Sequence, residues 1–465
     1  MTIVHLTPGA GAMYCGACLR DNALVMALRK LGHDVLMVPL YLPLTLDEPD
    51  QSATSPIFFS GLNVYLQQKS VLFRQAPAWL HRLLTARPLL KWASGRAAKT
   101  RAQDLGELTL SMLRGEEGNQ ARELVELLGW VKTQPKPDII CLSNALLLGV
   151  ARRLKSELDA PVVCCLQGED WFLEALPEPH RGACLKALAE KAAAVELFIA
   201  PSRYFADRMI ELLDLRPERV RVVYNGINLE GYAEVQSPDA GPQDQETTGP
   251  RFTLHAPRST LPTLPTLGFF ARMCPEKGLD TLVAAYIRLR QRGRVGNLRL
   301  RIGGSCGPAD ERFVDGLREQ LRQAGLLGET EFCPNLDREA KLAFLKSLTV
   351  FSVPAAYGEA FGLYVIEALA AGVPVVQPRS GAFPELLEAT GGGVLCAPGD
   401  AQALAEEIEG LLEAAGRMQA LGEAGRRAVF AKFNAGAMAQ ETLKVYGEAE
   451  GIKAGATGIG TQVVK

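Results

Sequence analysis

Leu267-Gly268-Phe269-Phe270-Ala271 is the point at which this chain begins its pattern a second time. The five residues form a short apolar run, the signature of a strand buried on both faces. Before them, Gln236-Ser237-Pro238-Asp239-Ala240-Gly241-Pro242 leads through to Pro262-Thr263-Leu264-Pro265. Pro, Gly, Thr and Gln dominate that stretch, which predicts a surface loop or insertion near a domain boundary. After Ala271, apolar runs recur at Leu298–Ile302, Thr330–Cys333, Val350–Val353, Val373–Val376 and Val394–Cys396. Helical patterns separate them. Before Gln236 the same alternation runs through Ile3–Leu6, Val35–Pro39, Ile139–Leu142, Val162–Leu166, Leu197–Ala200 and Val220–Val223. Such alternation means a parallel sheet with helices on both faces, here written twice. In these sheets ligands bind beyond the strand C-termini, at the switch point of strand order. Two such domains facing each other would leave an interdomain cleft.

The composition agrees with a globular, two- or three-domain protein. The chain has 465 residues, 48% hydrophobic and 22% charged. Fifty Lys and Arg against 52 Asp and Glu leave a net charge of −2, so no basic excess points to nucleic acid. No apolar run approaches the roughly 18 residues of a membrane span, and Met1-Thr2-Ile3-Val4-His5-Leu6 lacks a basic region. The expected location is cytoplasmic. Ten cysteines, several in strand-like runs (Cys141, Cys164, Cys165, Cys333), read as buried thiols in a reducing compartment. Cys15 and Cys18 form the one Cys-x-x-Cys pair. It reads either as a redox pair at a helix start or as two small residues in a tight turn.

Residues 51–103 contain no Asp or Glu and eight Lys or Arg, interleaved with Trp79, Trp92 and several leucines. The bland reading is an inserted helical pair. The functional readings are a helix lying on the cytosolic face of a membrane, through 69–101, or a pocket for an anionic acceptor. The stretch after Gly451 shows no period and reads as a frayed tail.

Thr7-Pro8-Gly9-Ala10-Gly11-Ala12-Met13-Tyr14-Cys15-Gly16 joins the first strand to the first helix. Its glycines let backbone approach a ligand, and the helix N-terminus offers amides to an anion. The spacing is not that of a dinucleotide fingerprint, because no glycine stands at position 14. The second strand also lacks a terminal acid for a ribose.

The segment Tyr357-Gly358-Glu359-Ala360-Phe361-Gly362-Leu363-Tyr364-Val365-Ile366-Glu367 carries the most chemistry. Leu363–Ala371 reads as a buried helix whose only charge is Glu367. A buried carboxylate needs a partner, either structural or a polar ligand such as a ribose. The amides near Ala360, Phe361, Gly362 and Leu363 would face an anion at the helix N-terminus, with Glu359 at the mouth. Arg272 and Lys277 lie just past the strand Leu267–Ala271. Two cations there suit a diphosphate; the alternative is a surface pair bridged to Glu276 and Asp280.

Together these motifs resemble family 4 of the retaining glycosyltransferases, which have the GT-B fold. The likeness runs along nearly the whole chain. It rests on Glu359-x7-Glu367 with Phe361-Gly362 and Ala371-Gly372-Val373-Pro374, and on Arg272 with Glu276-Lys277-Gly278. Gly9–Gly11, Pro201-Ser202, Asn225-Gly226-Ile227, Pro384-Glu385-Leu386 and Phe430-x-x-Phe433 support it. The resemblance implies an α/β, GT-B architecture of two Rossmann-like doubly wound domains. It places an acceptor-side domain at 1–228, with a basic helical insertion at about 69–130. A linker at 229–265 and a donor domain at 266–434 follow. A terminal helix at 435–450 returns to the first domain, and 451–465 is a flexible tail.

By the same resemblance the donor is a UDP- or GDP-linked sugar, taken as substrate, with no other cofactor and no metal. Arg272 and Lys277 would hold its diphosphate and Glu367 its ribose. Glu359, Ala360, Phe361, Gly362 and Leu363 would hold the sugar, and Gly11 would approach the phosphates. Three positions depart from the pattern. Asn228 stands where Asp is usual and Ala382 where a glycine is common. Leu166-Gln167-Gly168-Glu169-Asp170-Trp171 lacks the histidine that many members carry near the acceptor. Asp170 or Glu169 is left as the acceptor-orienting group.

Overall fold

The computed structural model describes residues 1–9, 15–59, 102–232 and 264–459. Most of the basic segment, 60–101, lies outside them, as do Gly11 and most of the Pro-rich stretch. Among the described residues are two parallel sheets of six strands each. The first comprises β1 (Thr2–Thr7), β2 (Asp34–Pro39), β3 (Ile139–Leu142), β4 (Val162–Cys165), β5 (Leu197–Ala200) and β6 (Val220–Val222). Its order is β2-β1-β3-β4-β5-β6. The second comprises β7 (Thr266–Phe270), β8 (Arg299–Gly304), β9 (Thr330–Pro334), β10 (Val350–Phe351), β11 (Val375–Pro378) and β12 (Gly393–Cys396), in the order β12-β11-β10-β7-β8-β9. Every run that the sequence marked as a strand is one.

The strands are buried because both faces carry apolar side chains. Val4, Leu6, Ile140 and Leu142 point into a core with Leu124, Leu127 and Leu154. Their neighbours Ile3, Ile139 and Cys141 point into a second core with Leu24, Leu28, Met438 and Tyr446. This alternation within continuous apolar runs is what a sheet covered on both sides requires.

The chain divides into two compact units. One holds Met1–Gly226, Glu359–Phe361 and Ala435–Lys465; the other holds Ile227–Gly358 and Gly362–Asn434. The division comes two residues before the expected 228. Ile227 donates its N–H to Phe433 O at 3.0 Å, and Arg338 donates to the carbonyls of Asn228 and Glu230. Those bonds tie residues 227–230 to the second unit.

The last helix, Ala435–Ile459, runs well past residue 450, so the expected tail is largely helical. It buries Met438, Ala439, Tyr446 and Ala449 in the first unit. Lys453 holds its far end, with Nζ 2.7 Å from the Asp159 carboxylate and 2.6 Å from the Asp159 carbonyl. A period-free composition does not reveal such an anchor. In the insertion, the described part holds helices Ala102–Arg114 and Ala121–Val131. The second buries Leu124, Leu127 and Leu128.

Candidate active site

In the second sheet, β7 pairs with β10 on one side and β8 on the other. Strand order reverses there, so the loops after β7 and β10 leave the sheet side by side. The loop after β7 carries Arg272 and Lys277; the loop after β10 carries Tyr357 and leads into helix Leu363–Ala370. Residues eighty positions apart thereby meet. Ala356 donates its N–H to Glu276 O at 2.9 Å. Lys277 Nζ hydrogen-bonds the Tyr357 hydroxyl. The same ammonium lies 4.9 Å from the Tyr357 ring centre and 5.4 Å from that of Tyr364. Two ring faces and a phenol oxygen fix the position of this cation.

The loop after β7 is pressed against the other loop. Gly278 has φ +70, and a Cβ there would lie 1.9 Å from the Pro354 carbonyl oxygen. Only glycine meets both demands.

Arg272 is held from its other side. Its Nε donates to Asp310 Oδ2 at 3.1 Å and one terminal nitrogen to Asp310 Oδ1 at 2.9 Å. Asp310 side chain is 9% exposed, whereas Arg272 remains 48% exposed. Arg272 thus pairs with Asp310, not with the Glu276 or Asp280 expected of a surface pair. A bidentate clamp uses one edge of the guanidinium and orients the rest of the fork.

Glu367 sits one turn into helix Leu363–Ala370, among buried Val365, Ile366, Ala368 and Leu369. It has a structural partner: Lys341 Nζ lies 2.8 Å from Glu367 Oε1, with side-chain exposures of 7% and 15%. The helix begins at Gly362, φ +91, a left-handed residue that turns the chain from loop to helix. Lys341 was not foreseen. The signal was present, because Lys341 falls on the same helical stripe as Phe344, Leu345 and Leu348, all buried.

Arg272, Lys277, Gly362, Leu363 and Glu367 thus belong to the second unit. Glu359, Ala360 and Phe361 are grouped with the first. There Ala360 O accepts from Ser202 Oγ at 2.7 Å, and the Phe361 ring lies 6.3 Å from that of Tyr224. Ser202 also caps helix Arg203–Leu213 by accepting from Phe205 N–H at 3.0 Å.

Asp170 and Glu169 open the short helix Glu169–Glu174 after β4, and the structure separates them. Glu169 is fully engaged by backbone. It accepts the N–H of Ala145 and of Gln167, each at 2.7 Å. Burial nevertheless pushes its carboxyl up to about 7. Asp170 lies 3.7 Å from Arg208 Nε, and burial raises its carboxyl too. Asp170 is therefore the one with a charged side-chain partner, which it shares with Glu174.

A carboxyl raised on folding binds its proton more tightly in the native state, so stability falls as pH rises from about 4.3 to about 7. Glu169→Gln should remove that slope, worth about 4 kcal/mol at most. Urea midpoints at pH 5 and pH 8, followed by tryptophan fluorescence, read it. Parallel pH dependence in wild type and variant would refute the assignment.

The larger omission from the sequence analysis lies in the first unit. Helix Gly16–Lys30 carries Arg20 and Asp21 into the core, 2% and 0% exposed. Asp21 Oδ2 accepts from Thr7 Oγ1 at 2.9 Å and Ser143 Oγ at 2.5 Å. Its Oδ1 accepts from an Arg20 terminal nitrogen at 3.1 Å, and His5 Nε2 lies 3.4 Å away. Arg20 also donates to Asn225 Oδ1 at 3.3 Å and to Cys165 Sγ at 3.4 Å. Helix Gly16–Lys30 also carries Arg29 and Lys30, so its buried pair does not stand out in the sequence as Glu367 does.

Two family models match the chain: Glycosyl transferases group 1 over residues 253–428, and Glycosyltransferase Family 4 over 106–230. This chain is a glycosyltransferase. The enzyme is 27% identical over 320 residues to a glycogen synthase of Mycobacterium tuberculosis, covering 67% of this chain and 69% of that one. It is 28% identical over 276 residues to a D-inositol 3-phosphate glycosyltransferase of Salinispora tropica, covering 59% and 55%. The latter match spans just over half of that relative. Among solved structures, sucrose-phosphate synthase from Thermosynechococcus elongatus superposes with a TM-score of 0.66 at 20% identity, covering 96% of the glycosyltransferase and 99% of the synthase. Anabaena HepE in complex with UDP and glucose gives 0.63 at 18%, covering 96% and 100%. At these identities the likeness is one of fold, and the fold is GT-B.

Among the described residues no helix of the glycosyltransferase is long and apolar enough to cross a membrane. The candidate membrane-surface segment, 69–101, lies outside them.

Proposed function

We propose that this glycosyltransferase moves a sugar from a UDP- or GDP-linked donor to an acceptor, with retention and without a metal. The observation that carries the reading is the switch point of the second sheet. Two cations, Arg272 and Lys277, follow β7 there, and Lys277 lies over Tyr364 in the first turn of helix Leu363–Ala370. Open α/β sheets bind ligands at that place, and the amides of a helix start favour an anion. Relatives of the fold were solved with UDP and glucose, which agrees with such a donor.

The reaction breaks the bond between the sugar's anomeric carbon and the diphosphate. Negative charge grows on the leaving oxygen, and fixed cations in a partly desolvated site answer it best. Arg272 supplies a planar fork steadied by Asp310, and Lys277 a point charge steadied by two tyrosines. Glu367 accepts ribose hydroxyls with the carboxylate edge that Lys341 does not use. Glu359 and the amides through Leu363 hold the sugar. Retention follows the family's front-face path, in which the leaving phosphate takes the acceptor proton. Asp170 orients the acceptor.

Glu367→Gln keeps the shape but not the charge, and should weaken nucleoside-diphosphate binding about tenfold to a hundredfold. Titration calorimetry with UDP and GDP checks it. Unchanged affinity for whichever of the two binds the wild type would remove Glu367 from the donor site. A thermal-shift panel of nucleotide sugars tests the proposal as a whole; no stabilisation by any of them would overturn it.

A further inference from the structure

We propose that Cys15 and Cys18 form a reversible dithiol–disulfide pair, oxidised by thiol–disulfide exchange with a small disulfide of the glutathione class. Nothing in the transfer reaction uses these thiols. Cys15 is the N-cap of helix Gly16–Lys30, in extended backbone, and its carbonyl accepts from Leu19 N–H at 3.0 Å. Cys18 is the third residue of that helix. An N-cap and the residue three positions on stand roughly 5 to 6 Å apart at their Cα atoms, inside the span a disulfide bridges.

The two thiols differ as an attacking and a resolving pair should. Cys15 is half-buried, whereas Cys18 is 1% exposed. The neighbouring Cys18 thiol, with the helix-start amides, brings the Cys15 thiol down to about 7 despite its burial. The Cys15 sulfur, with burial, raises the Cys18 thiol. At neutral pH Cys15 is partly thiolate and reachable; Cys18 holds its proton beneath it. Cys141 and Cys165 also lie close, with sulfurs 3.8 Å apart. Both are fully buried in the core, which closes them to exchange.

The exchange balances. The Cys15 thiolate attacks one sulfur of glutathione disulfide, forming a mixed disulfide and releasing one glutathione thiolate. Cys18 then gives up its proton and attacks Cys15 Sγ. The protein disulfide forms and the second glutathione leaves as thiol. Two electrons pass from the protein dithiol to glutathione disulfide, and glutathione reverses the step.

The full-length protein is equilibrated in glutathione buffers of rising disulfide fraction, quenched in acid, unfolded and alkylated. Trypsin releases Met1–Arg20, which contains Cys15 and Cys18 and no other cysteine. The expected result is loss of both alkyl groups from this peptide, with its mass lower by two hydrogens. Cys306 and Cys333, also half-buried, serve as internal comparison. Cys18→Ser should trap glutathione on Cys15, and Cys15→Ser should leave Cys18 as a thiol. The proposal is overturned if Met1–Arg20 stays doubly alkylated in pure glutathione disulfide, or if Cys15→Ser carries glutathione on Cys18 as readily as Cys18→Ser does on Cys15. The wild-type measurement decides by itself should either variant fail to fold.

Discussion

Arg272→Ala and Lys277→Ala should each lower glycosyl transfer on the order of 10²-fold, the usual cost of removing one preorganised donor from a developing oxyanion. On the proposed reading a free solution cation would not substitute, because both side chains are held in place. Arg272 arrives already oriented by its two bonds to Asp310, and Lys277 by the Tyr357 hydroxyl and two ring faces. Arg272→Lys retains charge but loses the planar fork and should recover only part of the activity. Truncating Arg272 also leaves Asp310, 9% exposed, without its partner, so melting temperatures belong beside the rates. Release of nucleoside diphosphate from UDP-glucose, UDP-N-acetylglucosamine and GDP-mannose is the readout. Wild-type turnover in both alanine variants would sink the diphosphate assignment.

The second large effect concerns stability. Asp21→Ala should destabilise the first unit by about 3–5 kcal/mol, because it strands a guanidinium in the core. Arg20 is 2% exposed and draws on Asn225, Cys165 and Asp21 for its bonds. Replacing Arg20 and Asp21 together by Met and Leu should cost less than Asp21→Ala alone, since no unpaired charge remains. The acid limb carries the same signature. Burial pushes the Asp21 carboxyl up, but His5, Arg20 and the Ser143 hydroxyl outweigh it and hold it below the ordinary carboxylate range. A carboxylate depressed on folding adds stability that is present above about 3.9 and lost as pH falls toward the native value. The penalty of Asp21→Ala should therefore shrink as pH drops below about 4. All four tryptophans, at 79, 92, 130 and 171, precede residue 227, so urea melts followed by fluorescence report this unit. A pH-independent penalty would show that Asp21 does not carry the linkage.

The class of fold was legible in the residues because strand and helix periods are local. Each β-branched run, from Ile3–Leu6 to Val394–Cys396, needs only its own neighbours to declare itself, and the Pro-rich stretch before Leu267 announces the second start. The identity of the candidate site residues was legible for a related reason. A lone carboxylate in an apolar helix, or two cations after a strand, is anomalous wherever the chain goes. The family likeness added roles to those anomalies.

Partnership was not legible, since it depends on strand order. β10 returning beside β7 is what sets Lys277 against Tyr357 and Tyr364, and β8 on the other side is what offers Asp310 to Arg272. Lys341 reaches Glu367 only because helix Arg338–Lys346 packs near helix Leu363–Ala370. The last helix keeps its form past residue 450 through Lys453 and Asp159, nearly three hundred positions apart. Periodicity and composition thus determined the two sheets and the chemical types available to them. Which charges meet, and so which are clamped, caged or buried in pairs, was decided by tertiary packing. A contact energy depends on distance in space, and a sequence records only distance along the chain.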